Sequence, residues 1–192
     1  YIFVDFGEKN KLFNELLKFN INFNIKEFNP DKELLELIFN QKKNYEINNN
    51  KLFNNIYYNY LNYSRFYFKE YFPELNKIIF LDADIEFLNG IENLYFEPFL
   101  NNNYISAFSN GINFKKKYNN KNRHNILPNF KYYSKRNKNN TMTFNAGVFI
   151  TLLDQWKENN IKNKLINWIK INNNLEYSIF IGGTQPPLNM VF

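Results

Sequence analysis

Two carboxylates one residue apart, Asp82 and Asp84, close the apolar run Ile78-Ile79-Phe80-Leu81, and a second largely apolar run, Ile85 to Leu88, follows them. The first run reads as a buried strand of a parallel sheet. In open α/β sheets, ligands bind outside the carboxyl ends of the strands, where this pair would sit. Carboxylates beside a buried strand are costly unless something positive satisfies them. A divalent metal carrying a diphosphate would do so; the alternative is a solvated turn with two Asp. Asn145 is a second candidate, because it ends an apolar stretch and precedes Ala146-Gly147, a small pair that lets a ligand or a backbone come close. Gln185 stands in Gly182-Gly183-Thr184-Gln185-Pro186-Pro187, a tight turn into a helix start.

The elements that must position these residues alternate as in an α/β domain. Tyr1 to Val4 reads as a strand, and Leu12, Phe13, Leu16, Leu17 and Phe19 form a helical stripe. Ile21, Phe23 and Ile25 alternate with polar residues at strand spacing. Asn29-Pro30-Asp31 starts a helix carrying Leu34, Leu35, Leu37 and Ile38. Gln41 to Asn50 reads as a polar loop, and Lys51 to Tyr71 as a long helix ending before Pro73. The Ile78 strand, a short strand over Ile85 to Leu88, and a strand over Tyr104 to Phe108 come next. Residues 111–140 read as a long basic loop, which in a compact domain is functional or disordered. Thr143 to Ile150 is a strand, Asp154-Gln155-Trp156 opens a helix, and a second helix spans Ile161 to Ile171.

The 192 residues fit one domain with a sizeable core. An apolar share of 44% and an aromatic share of 20% exclude a disordered chain. The net charge of +6 raises nucleic acid as a partner, but most Lys is scattered among Asn. The one dense patch, Lys115 to Lys138, reads as a solvated loop. Zero Cys excludes disulfides and thiolate metal sites. The chain opens in strand pattern without Met and closes on the apolar Met190-Val191-Phe192, so both ends read as cut from something longer. No window is apolar enough to span a bilayer, and a membrane link is expected only through an anchor outside this chain.

Three segments together resemble one family. Asn62-Tyr63-Ser64-Arg65-Phe66-Tyr67 precedes Pro73 and Ile79-Phe80-Leu81-Asp82-Ala83-Asp84. Phe144-Asn145-Ala146-Gly147-Val148-Phe149 precedes Trp156-Lys157 and Trp168, and Gly182 to Leu188 closes the set. The set resembles the family 8 retaining glycosyltransferases, and within them the eukaryotic glycosyltransferase 8 domain-containing and galacturonosyltransferase-like proteins. It covers most of the chain, least over Gln41 to Asn50 and Gly111 to Asn140.

The resemblance implies a single, partial catalytic domain over 1–192 of the GT-A type: a mixed, mostly parallel sheet flanked by helices, truncated at both ends. It implies retaining transfer of a hexose or uronic acid from a UDP-sugar to a glycan or glycoprotein acceptor, with Mn²⁺ or Mg²⁺ and with no nucleic acid as partner. By resemblance Asp82 and Asp84 ligate the metal, Arg65 approaches the donor and the acidic cluster, Asn145 contacts the donor sugar, and Gln185 lies under the reacting carbon. Arg65 could instead pair with Glu70 on a helix surface. Asn145 could be a turn residue, and Gln185 part of a helix-start turn. Thr184 stands where many members carry Asp. The lone His124 reads as a surface residue, and Trp156 and Trp168 as packing anchors. Asn62-Tyr63-Ser64 and Asn139-Asn140-Thr141 match glycosylation sequons by chance in so Asn-rich a chain. The family's first strand would precede Tyr1, and its metal-ligating His and phosphate-binding Lys would follow Phe192. The Golgi or endoplasmic reticulum lumen is the setting that analogy implies. Three alternatives stay open: a degenerate domain that binds a nucleotide-sugar without transfer, a haloacid-dehalogenase-like phosphohydrolase, and, on charge alone, a nucleic-acid binder.

Overall fold

The computed structural model describes residues 1–5, 7–19, 22–49, 59–99, 103–113, 142–175, 178–180 and 182–192. Strand β1 (Ile2–Asp5) leads through helix α1 (Lys9–Leu16) and a 3₁₀ turn (Leu17–Phe19) to β2 (Ile25–Phe28). Helix α2 (Lys32–Asn49) follows, then a 3₁₀ helix (Tyr60–Tyr67) that runs into α3 (Phe68–Tyr71). Next come β3 (Lys77–Leu81), α4 (Glu92–Phe96), β4 (Ile105–Asn113) and β5 (Met142–Leu152). Helices α5 (Leu153–Glu158), α6 (Ile161–Asn173) and α7 (Gln185–Val191) end the chain.

Among the described residues there are two sheets. β1 and β2 pair in parallel, Ile2 opposite Ile25 and Asp5 opposite Phe28. The second sheet has the order β3-β5-β4, with both pairings antiparallel. The core lies between this sheet and the helices. Phe149 of β5 stacks on Phe80 of β3 at 5.1 Å between centroids, and Phe68 and Trp156 pack beside them. Helix α6 turns Ile161, Leu165, Ile166, Trp168 and Ile169 inward, an apolar stripe at helical period. Trp156 donates its indole N–H to Thr151 Oγ1 at 2.7 Å, so the buried ring keeps a polar partner.

Local chemistry explains several boundaries. Asp31 Oδ1 accepts the Leu34 N–H at 2.8 Å and starts α2, a cap worth about 1 kcal/mol. Asn172, fully buried, accepts the N–H of Ile179 and of Phe180 and donates to Phe180 O. It thereby fixes the turn that leads toward Gly183, whose φ of 78° suits glycine.

Six expectations change. The Ile78 run is antiparallel to its neighbour and only half-buried, while β5 is the buried strand. Apolar content reports burial, not direction. Ile85 to Leu88 is not a strand; Ile85, Phe87 and Leu88 are exposed. Helix α2 continues to Asn49, through residues read as loop, because Gln41 is buried against Tyr63 and not left to solvent. The segment before Tyr71 is 3₁₀ over Tyr60–Tyr67 with Ser64 buried, so the first sequon lies in a packed helix. The helical stripe of α1 forms, yet Phe13, Leu17 and Phe19 remain exposed. The strand expected over Ile21 to Ile25 begins only at Ile25. Lys51 to Ile56, the basic patch, His124 and the second sequon lie outside the described residues. No described helix is long and apolar enough to cross a membrane.

Candidate active site

Arg65 is the centre of the constellation. The 3₁₀ turn carrying it packs against the sheet, leaving the residue 7% exposed. All three guanidinium nitrogens are engaged. Nε donates to Asn62 O at 3.0 Å, Nη1 to Ala146 O at 2.9 Å, and Nη2 to Asp82 Oδ1 at 3.0 Å. The guanidinium lies 4.4 Å over the Phe80 ring, a cation–π contact on the face that sterically fixes it. Burial works to lower the Arg65 pKa, and the charge and hydrogen bond of Asp82 oppose that. A guanidinium keeps its proton under such a load, so a permanent cation is built in next to the carboxylate. The surface pairing with Glu70 does not form; Glu70 pairs with Lys162.

Asp82 directly follows β3, and its N–H donates to Gly147 O at 2.7 Å, extending the β3–β5 ladder by one bond. Its side chain is about 39% exposed, open to solvent on one side and held by Arg65 on the other. Gly147 makes that position possible. A Cβ there would stand 2.7 Å from Asp82 Oδ2 and 3.2 Å from Asn145 Oδ1. Asn145 Oδ1 in turn accepts the Gly147 N–H at 2.8 Å. Asp82, Asn145 and Gly147 therefore occupy one small volume at the end of the sheet.

Gln185 reaches the same place from α7. Its Oε1 lies 3.4 Å from the Ala146 N–H. Asn189, one turn on, accepts from Phe144 N at 2.8 Å and donates to Phe144 O at 3.1 Å. Thr184 is buried at the start of α7 and its side chain makes no capping bond. Asp84 sits apart from these contacts, in the exposed turn after Asp82. The structure thus brings Arg65, Asp82, Asn145 and Gln185 together, with Asp84 at the rim.

Among the described residues no three His, Cys, Asp or Glu side chains gather as a metal cluster. The donor set fits a hard divalent cation in part. Asp82 Oδ1 is taken by Arg65, Oδ2 rests over the bare Gly147, and Asp84 stands in an exposed turn. Two carboxylates would leave the remaining positions to other hard oxygen donors such as water, as Mg²⁺ and Mn²⁺ accept. The sequence reading gives Gly147 only as half of a small pair and does not single out Asn189. The signals were present: a Gly two residues beyond a candidate ligand, and two amides four residues apart on a short helix.

The chain matches the family described as glycosyl transferase family 8 over residues 5–192. Among curated proteins it is 31% identical to Glycosyltransferase 8 domain-containing protein 1 of Xenopus tropicalis over 144 residues, and 32% identical to that of Homo sapiens over 146. Each alignment covers 69% of this chain and 38% of the relative, so the chain spans well under half the length of these proteins. Among solved structures it resembles the WbbM bifunctional glycosyltransferase in its apo form, with a TM-score of 0.53 and 19% identity, over 98% of this chain and 30% of that one. That likeness is one of fold, the GT-A type of mixed α/β architecture. The family match runs through the Arg65, Asp82, Asn145 and Gln185 segments alike, and the chain belongs to glycosyl transferase family 8.

Proposed function

We propose that this domain forms the donor side of a retaining glycosyltransferase, moving a hexose or uronic acid from a UDP-sugar to a glycan or glycoprotein acceptor. The observation that carries the reading is the buried Arg65 cation locked to Asp82 beside Asn145 and Gln185. A carboxylate held by a fixed cation is preorganised and costs little to reorient when charge develops. Asp82 and Asp84 would hold Mn²⁺ or Mg²⁺, which when bound supplies charge neutralisation for the departing diphosphate. Asn145 is exposed with its Oδ1 spent on Gly147 N–H, which leaves its Nδ2 for a sugar hydroxyl. Gln185, a neutral amide, orients the sugar. It fits a same-face displacement better than a covalent intermediate.

Release of UDP from a panel of UDP-hexoses and UDP-uronates, with Mn²⁺ and the full-length protein, tests this. Turnover that Asp82→Asn and Asp84→Asn each abolish supports it. A folded protein that turns over none of them, with or without candidate acceptors, contradicts it. Thr184 in place of an acid favours one second reading, a domain that binds the nucleotide-sugar without transfer. Binding of UDP with Mn²⁺ but no UDP release would select it. Family membership leaves the phosphohydrolase alternative without support.

A further inference from the structure

We propose that Asn189 is a positioning residue: it sets the register of α7 against β5 and so holds Gln185 at the sugar end of the site. The inference rests on the donor-site reading above for its functional half and on geometry alone for the other.

Helix α7 lies along the N-terminal half of β5, and two amides four residues apart meet backbone groups two residues apart. Asn189 pairs with both the N–H and the C=O of Phe144, and Gln185 Oε1 faces the N–H of Ala146. Four helical residues advance about 6 Å and two strand residues about 6.6 Å, so the spacings match. As the helix number rises the strand number falls, so α7 runs antiparallel to β5. Asn189 copies what a neighbouring strand would offer Phe144. Past Leu81, β3 contributes only the Asp82 N–H to Gly147 O, and the strand that meets this stretch is β4, with Ser109 opposite Phe144.

The two contacts are unequal. Asn189 is 7% exposed and makes three bonds, the third from Nδ2 to Gln185 O at 2.9 Å. Gln185 is half-buried, and its one contact to the strand is 3.4 Å long. Gln185 alone cannot fix where α7 sits; Asn189 can, and it ties the Gln185 backbone in the same step. A slip of the helix by one residue would carry Gln185 away from Asn145 while leaving Arg65 and Asp82 in place. Asn189 therefore acts on the sugar end and not on the diphosphate end.

The test is a double-mutant cycle in the full-length protein, using whichever UDP-sugar of the panel turns over. The variants are Gln185→Ala, Asn189→Asp and both together. Asn189→Asp keeps an acceptor for Phe144 N–H and loses the two donated bonds. Each single change is expected to lower kcat about 10- to 100-fold, with binding of UDP plus Mn²⁺ unchanged within about twofold. The double variant is expected to fall no further than the worse single one by more than about twofold. Losses that multiply, or UDP affinity that falls with kcat, overturn the proposal. Amide hydrogen exchange decides the register claim without turnover. Asn189→Asp, and Asn189→Ala more strongly, should expose the Ala146 amide, whereas Gln185→Ala should leave Phe144 protected. Wild-type protection of Ala146 in a folded Asn189 variant overturns it. Failure of the donor-site reading would show separately, as wild-type protein that binds no UDP with Mn²⁺.

Discussion

Adding one methyl group at Gly147 should damage function far more than stability. In Gly147→Ala the new Cβ would begin 2.7 Å from Asp82 Oδ2, and ordinary contact starts near 3.4 Å, so the carboxylate must move by about 0.7 Å. It cannot simply swing, because Oδ1 is held by Arg65 at 3.0 Å and the Asp82 N–H is held by Gly147 O at 2.7 Å. Turning outward sacrifices the bond to Arg65. A hydrogen bond to a charged group contributes about 1.5–3 kcal/mol, but the Asp82 side chain is 39% exposed and water recovers part of that. The net cost should be about 1 kcal/mol, a fall in Tm of about 2–4 °C for a domain of this size. The functional loss is larger: moving a reacting constellation by about 1 Å costs on the order of 100-fold in rate. Thermal melts and UDP release on the same preparation measure both. Gly147→Ala with wild-type turnover would refute the claim that Asp82 must lie over a bare backbone. An equal collapse of stability and turnover would refute the claim that the effect is local.

Arg65→Met keeps volume over Phe80 but strips three bonds, those donated to Asn62 O, Ala146 O and Asp82 Oδ1. It should cost about 2–4 kcal/mol by denaturant melts and abolish UDP release, and Arg65→Lys, with no planar fork, should not rescue release. Burial, with the bond to Asp31 and its charge, pushes the Tyr67 hydroxyl well above its usual value. The folded chain then keeps a proton that an unfolded tyrosine loses near pH 10. Stability should be intact below about pH 10 and decline above it, by up to about 1.4 kcal/mol per pH unit, and Tyr67→Phe should flatten that decline in melts taken from pH 9 to 11. Asn172→Ala removes the buried side-chain acceptor that the Ile179 and Phe180 amides share and the donor to Phe180 O, and should destabilise by about 2–4 kcal/mol. Because that turn leads to Gln185, UDP release should fall as well, and Asn172→Ala with a wild-type melt would contradict the packing described.

The sequence was readable where periodicity and caps agree. Asp31 before Leu34 and Ile38 marked the start of α2, and Ile161, Leu165 and Ile169 marked α6, because each pairs a terminus signal with a buried stripe. Reading failed where burial comes from a distant partner. Gln41 looked like loop, yet Tyr63 buries it and the helix runs on. The direction of β3 was hidden because its pairing depends on β5, some seventy residues later, and not on its own residues. In the candidate site, Asp82 and Asn145 stood out as polar residues ending apolar runs. Arg65 was separable from a surface arginine only by the family pattern, since its partners are Asp82, just past the end of β3, and Ala146, within β5. Gly147 and Asn189 serve through what they touch; the local pattern marks their positions but not those partners.

The central claim, that Asp82 and Asp84 help form a metal-dependent site for a UDP-sugar, is tested most directly by melting the full-length protein with UDP, with Mn²⁺ and with both. A ligand at one hundred times its Kd adds about 2.7 kcal/mol. The account predicts a rise in Tm that needs both ligands and disappears in Asp82→Asn and Asp84→Asn. A well-folded wild-type protein whose Tm is the same with both ligands as with neither would contradict it.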